Sequence, residues 1–118
     1  MITVYSIGEK YRDPLIGDID VPAFCWPSPP PVLRPLDGRD RRVAESVLFP
    51  LPVVLDELRI VADYARALAE HQDEVTVVVE CAEGIHRSVA GAEFIAEYAR
   101  RYGAETRVIH RDVGRRPS

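Results

Sequence analysis

The chain has 118 residues, 47% hydrophobic and 29% charged, with a net charge of −4. That length holds one domain and one modest core. The acidic balance argues against general nucleic-acid affinity, which is driven by neutralising phosphates, and no apolar stretch is long enough to span a bilayer. The opening Met1-Ile2-Thr3-Val4-Tyr5 lacks a basic segment leading into an apolar one, so no secretory signal is expected. Two cysteines, Cys25 and Cys81, do not make a disulfide framework, and a reducing, cytoplasmic setting is expected. No Cys/His cluster has metal-ligand spacing, and no cofactor is implied.

Ile2 to Ile7 alternates and is β-rich, which predicts a first strand ended by Gly8. Residues 9–20 read as polar loop with a short extended piece at Leu15-Ile16. Residues 22–35 hold Pro22, Pro27 and the run Pro29-Pro30-Pro31, so they form a loop, with Phe24 and Trp26 packing it onto the body. Asp37 or Asp40 caps a short helix through Val43 and Val47. Pro52 suits the first position of a second helix to about Glu70, with Leu55, Leu58, Ala62, Ala65 and Leu68 forming its apolar stripe.

A buried strand is predicted over 75–80, a helix over 88–102 burying Ala92, Ile95, Ala99 and Tyr102, and a strand over 105–110. Gly103 marks the stop between the last two. These three elements make a βαβ unit with parallel strands. The fold class is α/β: one small domain over 1–118, a mixed sheet containing that unit, and the proline-rich loop at 22–35. Residues 100–118 hold six arginines against Glu105 and Asp112, a local +4 that leaves −8 on the first 99. This basic end is a solvated tail or a polyanion contact.

Between strand 75–80 and its helix lies Cys81-Ala82-Glu83-Gly84-Ile85-His86-Arg87-Ser88. A glycine-containing loop running into a helix N-terminus presents unpaired N–H groups and partial positive charge to an anion. Arg87 adds a two-pronged donor and Ser88 a cap and a hydroxyl. A Cys81 thiolate would be stabilised by the same dipoles. The residues alone leave two further readings open: Cys81 as a small buried hydrophobe, and Arg87 with Ser88 as a surface charge and a cap.

The segment from Glu80 to Glu93, with His110-Arg111-Asp112 after the helix, resembles the C-terminal domain of the RapZ family. That family's pattern is Gly-Cys-Thr-Gly-Gly-x-His-Arg-Ser-Val, a helix, then a strand ending in His-Arg. Tyr5-Ser6-Ile7-Gly8-Glu9-Lys10-Tyr11 with Pro14 is similar to the family's Phe-Gly-x-Lys-Tyr-Gly-x-Pro. Asp20-Val21, Trp26-Pro27, Leu33-Arg34 and Gly38 to Val43 follow the family's order. The resemblance implies a module that binds a phosphorylated metabolite such as an amino-sugar phosphate, within proteins that bind small RNAs and pass them to a ribonuclease. It also implies that His110, Arg111 and Asp20 close the site. Departures are Glu80 for Gly, Ala82-Glu83 for Thr-Gly, Pro22 for an Arg, and Trp26 for an Asn. No Gly-x-x-x-x-Gly-Lys-Ser/Thr occurs, so nucleotide hydrolysis is not expected.

Three functions fit. The first is a metabolite sensor or adapter built on residues 81–88, answering to a protein partner or to a second copy of the chain. The second is a cysteine-dependent phosphatase with Cys81 as nucleophile, Arg87 on the equatorial oxygens, and Asp18 or Asp20 as acid. The third is an RNA adapter using Arg111, Arg115 and Arg116.

Overall fold

The computed structural model describes residues 1–115. Strand β1 (Ile2–Gly8) carries an alternation that buries Ile2 and Val4 on one face and Ile7 on the other. β2 (Ile19–Pro22), β3 (Val75–Cys81) and β4 (Thr106–His110) complete a sheet of order β2-β3-β1-β4. Every pairing is parallel. The expected mixed sheet is therefore corrected. No two neighbouring strands are joined by a hairpin, so each return path is a crossover and every strand runs the same way. The βαβ unit is present, with β1 lying between its two strands.

The sequence predicts a short extended piece at Leu15-Ile16, whereas the strand lies at Ile19–Pro22. Its pattern is short, Val21 is its one buried residue, and Pro22 at its end is tolerated because the strand lies on a sheet edge. Residues 9–18 link β1 to it, starting with a single 3-10 turn at Glu9–Tyr11.

Helix α1 (Arg41–Leu48) starts where Asp40 accepts the Arg42 N–H at 2.9 Å, and buries Val43, Val47 and Leu48. α2 (Pro52–Ala69) has its proline at the first turn and buries Val54, Leu58, Ala62 and Ala65. α3 (Arg87–Arg101) buries Ala92, Ile95 and Ala99, but Tyr102 lies beyond its last turn and is 54% exposed. Gly103, at φ +92°, donates to Arg100 O, and Ala104 to Ala99 O, so the positive φ closes the helix end.

The three helices pack on one another, and α2 and α3 lie on a single face of the sheet, where Ile2, Val4, Val21, Val75, Val77 and Val79 meet Leu58, Ala62 and Ile95 in one core. The opposite face presents Tyr5, Ile7, Val78, Asp20, Arg107 and Ile109, and no helix among the described residues covers it. Residues 14–17 cross it over Ile7 of β1 and Val78 of β3.

The proline-rich stretch forms no regular element after Pro22 beyond a 3-10 turn at Pro31–Leu33. It is held as a strap by Trp26, whose ring lies against Gly91 of α3. A Cβ at Gly91 would come within 2.8 Å of that ring. Phe24, expected to pack inward, is 39% exposed.

Candidate functional site

The chain leaves β1 toward the open face and leaves β3 toward α3 on the helical face, so a crevice opens at the carboxyl ends of two adjacent strands. Open α/β sheets bind ligands in such crevices. Cys81, the last residue of β3, stands opposite Gly8 in the register. Two glycine backbones touch there. A Cβ on Gly8 would lie 2.5 Å from the carbonyl carbon and oxygen of Glu83, and one on Gly84 would lie 2.6 Å from Gly8 N. Gly84 also has φ +73°, a conformation that L side chains rarely adopt.

This turn folds back on the cysteine. The Gly84 N–H donates to Cys81 Sγ at 3.3 Å, and the thiol donates to Ser88 Oγ at 3.1 Å. Cys81 is 3% exposed and Ser88 fully buried. The expectation that Ser88 caps the helix is corrected. His86 occupies the cap position without a side-chain bond, and Ser88 lies inside the first turn with its hydroxyl spent on the sulfur.

His86 and Arg87 hold the strap. His86 Nε2 is 2.9 Å from the Arg34 carbonyl, and Arg87 Nη1 donates to the carbonyls of Phe24 at 2.7 Å and Trp26 at 3.4 Å. The Gly38 N–H adds a bond to Ile85 O at 2.8 Å. Strap and loop together border a half-open cavity of about 370 Å³, lined by Ser28, Pro29, Arg34, Cys81, Ala82, Glu83, His86 and Arg87. Arg34, His86, Arg87 and Glu83 thus border a single space. Gly84, Ile85 and Ser88 are buried and do not line it.

The other predicted site residues lie elsewhere. His110 Nδ1 is 2.6 Å from Ser6 Oγ and its Nε2 is 2.8 Å from Glu93 Oε1 on α3, so the side chain ties β1, β4 and α3 together. That hydrogen bond to His110 is the main reason the Glu93 carboxyl lies below its ordinary range. Arg111 donates through Nε and Nη2 to Asp112, and through Nη1 to the Asp13 carbonyl. Asp20 Oδ1 accepts the Gly17 N–H at 2.9 Å on the open face and does not line the cavity. Asp18 likewise accepts the Thr76 N–H at 2.8 Å. Arg115 pairs with Asp112 at 3.4 Å; Arg116 lies outside the described residues.

Two residues with structural weight at the site were not singled out from sequence. Asp112 is fully buried and accepts the Gly8 N–H at 2.7 Å. Burial disfavours its charge, but hydrogen bonds from Arg111 and Gly8 outweigh that and hold its carboxyl below the usual range. Asp112 thereby fixes the end of β1 on which the Cys81 loop rests. Arg34 lines the cavity and its carbonyl is bonded to His86; its signal is the Leu33-Arg34 pair that matches the family. Glu80, one residue before the loop, is pushed up first by burial and then by Glu9. Among the described residues no group of three or more His, Cys, Asp or Glu is arranged to hold a metal, and no helix is long and apolar enough to cross a membrane.

Fold and site define a two-layer parallel α/β domain with a Cys-x5-Arg-Ser loop at the carboxyl edge of its sheet. The family model described as the RapZ C-terminal domain matches residues 1–114, and the chain belongs to that family. Relatives include a protein named nucleotide-binding protein from Streptomyces avermitilis, 38% identical over 120 residues that cover 96% of this chain. Similar proteins of that name occur in Azoarcus, 40% identical over 94% of this chain, and in Frankia casuarinae, 41% identical over 96%. The chain spans about 40% of the length of these relatives.

Proposed function

We propose that this domain binds a phosphorylated small molecule in the cavity between the 81–88 loop and the strap, and acts as a sensor or adapter module. One observation carries the reading: Arg34, His86 and Arg87 line one cavity together with Cys81 and Ala82, at the turn that leads into the N-terminus of α3. Phosphate is the common metabolite group that such an array complements. Arg87 uses one nitrogen on the strap carbonyls, which leaves its other donors for the ligand. Glu83 suits a ligand that carries hydroxyl or amino groups beside its phosphate, and an amino-sugar phosphate has both. Because Arg87 bonds both strap and ligand, occupancy is coupled to the strap, and that coupling gives a partner protein a surface to read.

A cysteine-dependent phosphatase is the second reading, favoured by the Ser88 hydroxyl and Gly84 amide on the Cys81 sulfur. Its expected acid is not in place: Asp20 lies on the open face, and Glu83 is the one carboxylate among the described lining residues. Cys81→Ser separates the two. Under our reading Cys81→Ser binds phosphate and sugar phosphates as the wild type does, and neither protein hydrolyses an aryl phosphate. Hydrolysis by the wild type that disappears in Cys81→Ser overturns the sensor. Absence of phosphate-dependent thermal stabilisation in the wild type overturns both.

A further inference from the structure

Helix α2 is apolar on two sides. Val54, Leu58, Ala62 and Ala65 belong to the core, while Val53, Ile60 and Tyr64 are 66, 68 and 57% exposed. Those three recur at spacings of seven and four, and Ala67, also exposed, continues the series. At about 100° per residue the four fall within roughly 60° of arc, a second stripe about 21 Å long. Exposed Phe49 and Leu51 lie just ahead of its N-terminal end. A continuous apolar stripe rimmed by charge marks a contact surface, whereas single exposed apolar residues need no explanation. Acids edge this stripe on both sides, Glu57 on one and Asp56 with Asp63 on the other, all exposed. Arg59 and Arg66 lie further round the helix. They bond Asp56 at 3.2 Å and Asp63 at 3.0 Å, each through Oδ1, which leaves the second carboxylate oxygen of each acid for another donor.

We infer that this stripe docks an amphipathic helix of a partner protein, one whose apolar stripe is flanked by lysine or arginine. The spacing of Val53, Ile60 and Tyr64 is that of the anchors by which one helix seats on another. The acidic edges choose the occupant. They complement basic flanks and steer the encounter with them. A second copy would bring the same acidic edges, and an anionic bilayer repels them. None of the stripe residues lines the cavity beside the 81–88 loop, so a docked helix leaves that cavity open. The inference therefore stands apart from the ligand reading.

Binding is read by fluorescence anisotropy of a labelled helical peptide of about 18 residues, with leucine at every third or fourth position and lysine on the flanks. A second peptide has glutamate in place of each lysine. The full chain is expected to bind the lysine peptide, and the glutamate peptide about tenfold more weakly or less. Ile60→Asp, and separately Asp56→Lys with Asp63→Lys, are expected to weaken lysine-peptide binding about tenfold or more. Ile16→Asp, on the segment that crosses the open sheet face, is expected to leave it unchanged. All four side chains are exposed, and circular dichroism checks that each variant keeps the fold. Equal affinity for the two peptides, binding indifferent to Ile60→Asp, or no binding of the lysine peptide overturns the proposal. So does a dimer in light scattering, or sedimentation with phosphatidylglycerol vesicles, that is lost in Ile60→Asp, since either identifies a different occupant.

Discussion

Gly8→Ala isolates the contact that positions the site. At φ −112° and ψ 124° Gly8 has a backbone that alanine adopts freely, so the substitution carries no torsional penalty. Its whole effect comes from the new Cβ, 2.5 Å from Glu83 C and O and 2.9 Å from Gly84 N. Carbon atoms in contact normally sit about 3.5–4.0 Å apart, so the loop must retreat by roughly 1 Å. Neither side yields easily: Gly8 is bonded to Asp112, and Lys10 N–H to Ala82 O at 3.0 Å. Overpacking of this kind costs about 1–3 kcal/mol. Reduced freedom of the unfolded chain returns about 0.4–1 kcal/mol. The net loss of about 0–2.6 kcal/mol, about 1.3 kcal/mol at mid-range, lowers Tm by roughly 5 °C at that mid-range. Gly84→Ala adds a left-handed penalty of about 1–2 kcal/mol and is expected to melt lower still. Thermal melts by circular dichroism, with and without phosphate, measure both effects. A Gly8→Ala protein that melts at or above the wild-type temperature with its phosphate response intact would refute the reasoning.

Asp112→Asn removes a buried carboxylate from Arg111 and from the half-exposed Arg115, and losing hydrogen bonds to a charged group costs about 1.5–3 kcal/mol at neutral pH. Because the folded-state carboxyl lies below its ordinary value of about 3.9, the stability it contributes is present above that value and is lost as pH falls through the folded one. The deficit of Asp112→Asn in melts is therefore expected to shrink below about pH 4; an equal deficit at pH 7 and pH 3 would contradict the assignment. Alkylation followed by mass spectrometry is expected to modify exposed Cys25 first, and Cys81 only as the loop opens. Cys81 reacting as fast as Cys25 in the native protein would show that the loop does not seal it.

Elements with strong periodicity were legible in the sequence. β1, β3, α2 and α3 each bury a repeating stripe, and Asp40, Pro52 and Gly103 mark helix ends by side-chain or backbone chemistry that stays local. β2 was not legible, because a four-residue edge strand with one buried residue, an aspartate and a terminal proline has the composition of a loop. At the site, the 81–88 loop was readable because glycine, arginine and serine spacing is a local property. What the side chains touch was not: Arg87 reaches back to Phe24, His110 turns to Ser6 and Glu93, and Arg111 turns to Asp112. Those choices depend on which element lies alongside, and sheet order decides that. The buried Asp112 looked like one of many acids because its burial arises from the close of β4 over the end of β1.

An NMR titration of the uniformly ¹⁵N-labelled chain with inorganic phosphate, then with an amino-sugar phosphate, tests the central claim most directly. The backbone amides of Gly84, Ile85, His86 and Arg87 are expected to shift first and to saturate, with the strap amides of Ser28 and Arg34 following. The sugar phosphate is expected to saturate at lower concentration than phosphate alone. Shifts confined to residues away from the 81–88 loop, or none at all, would contradict the account.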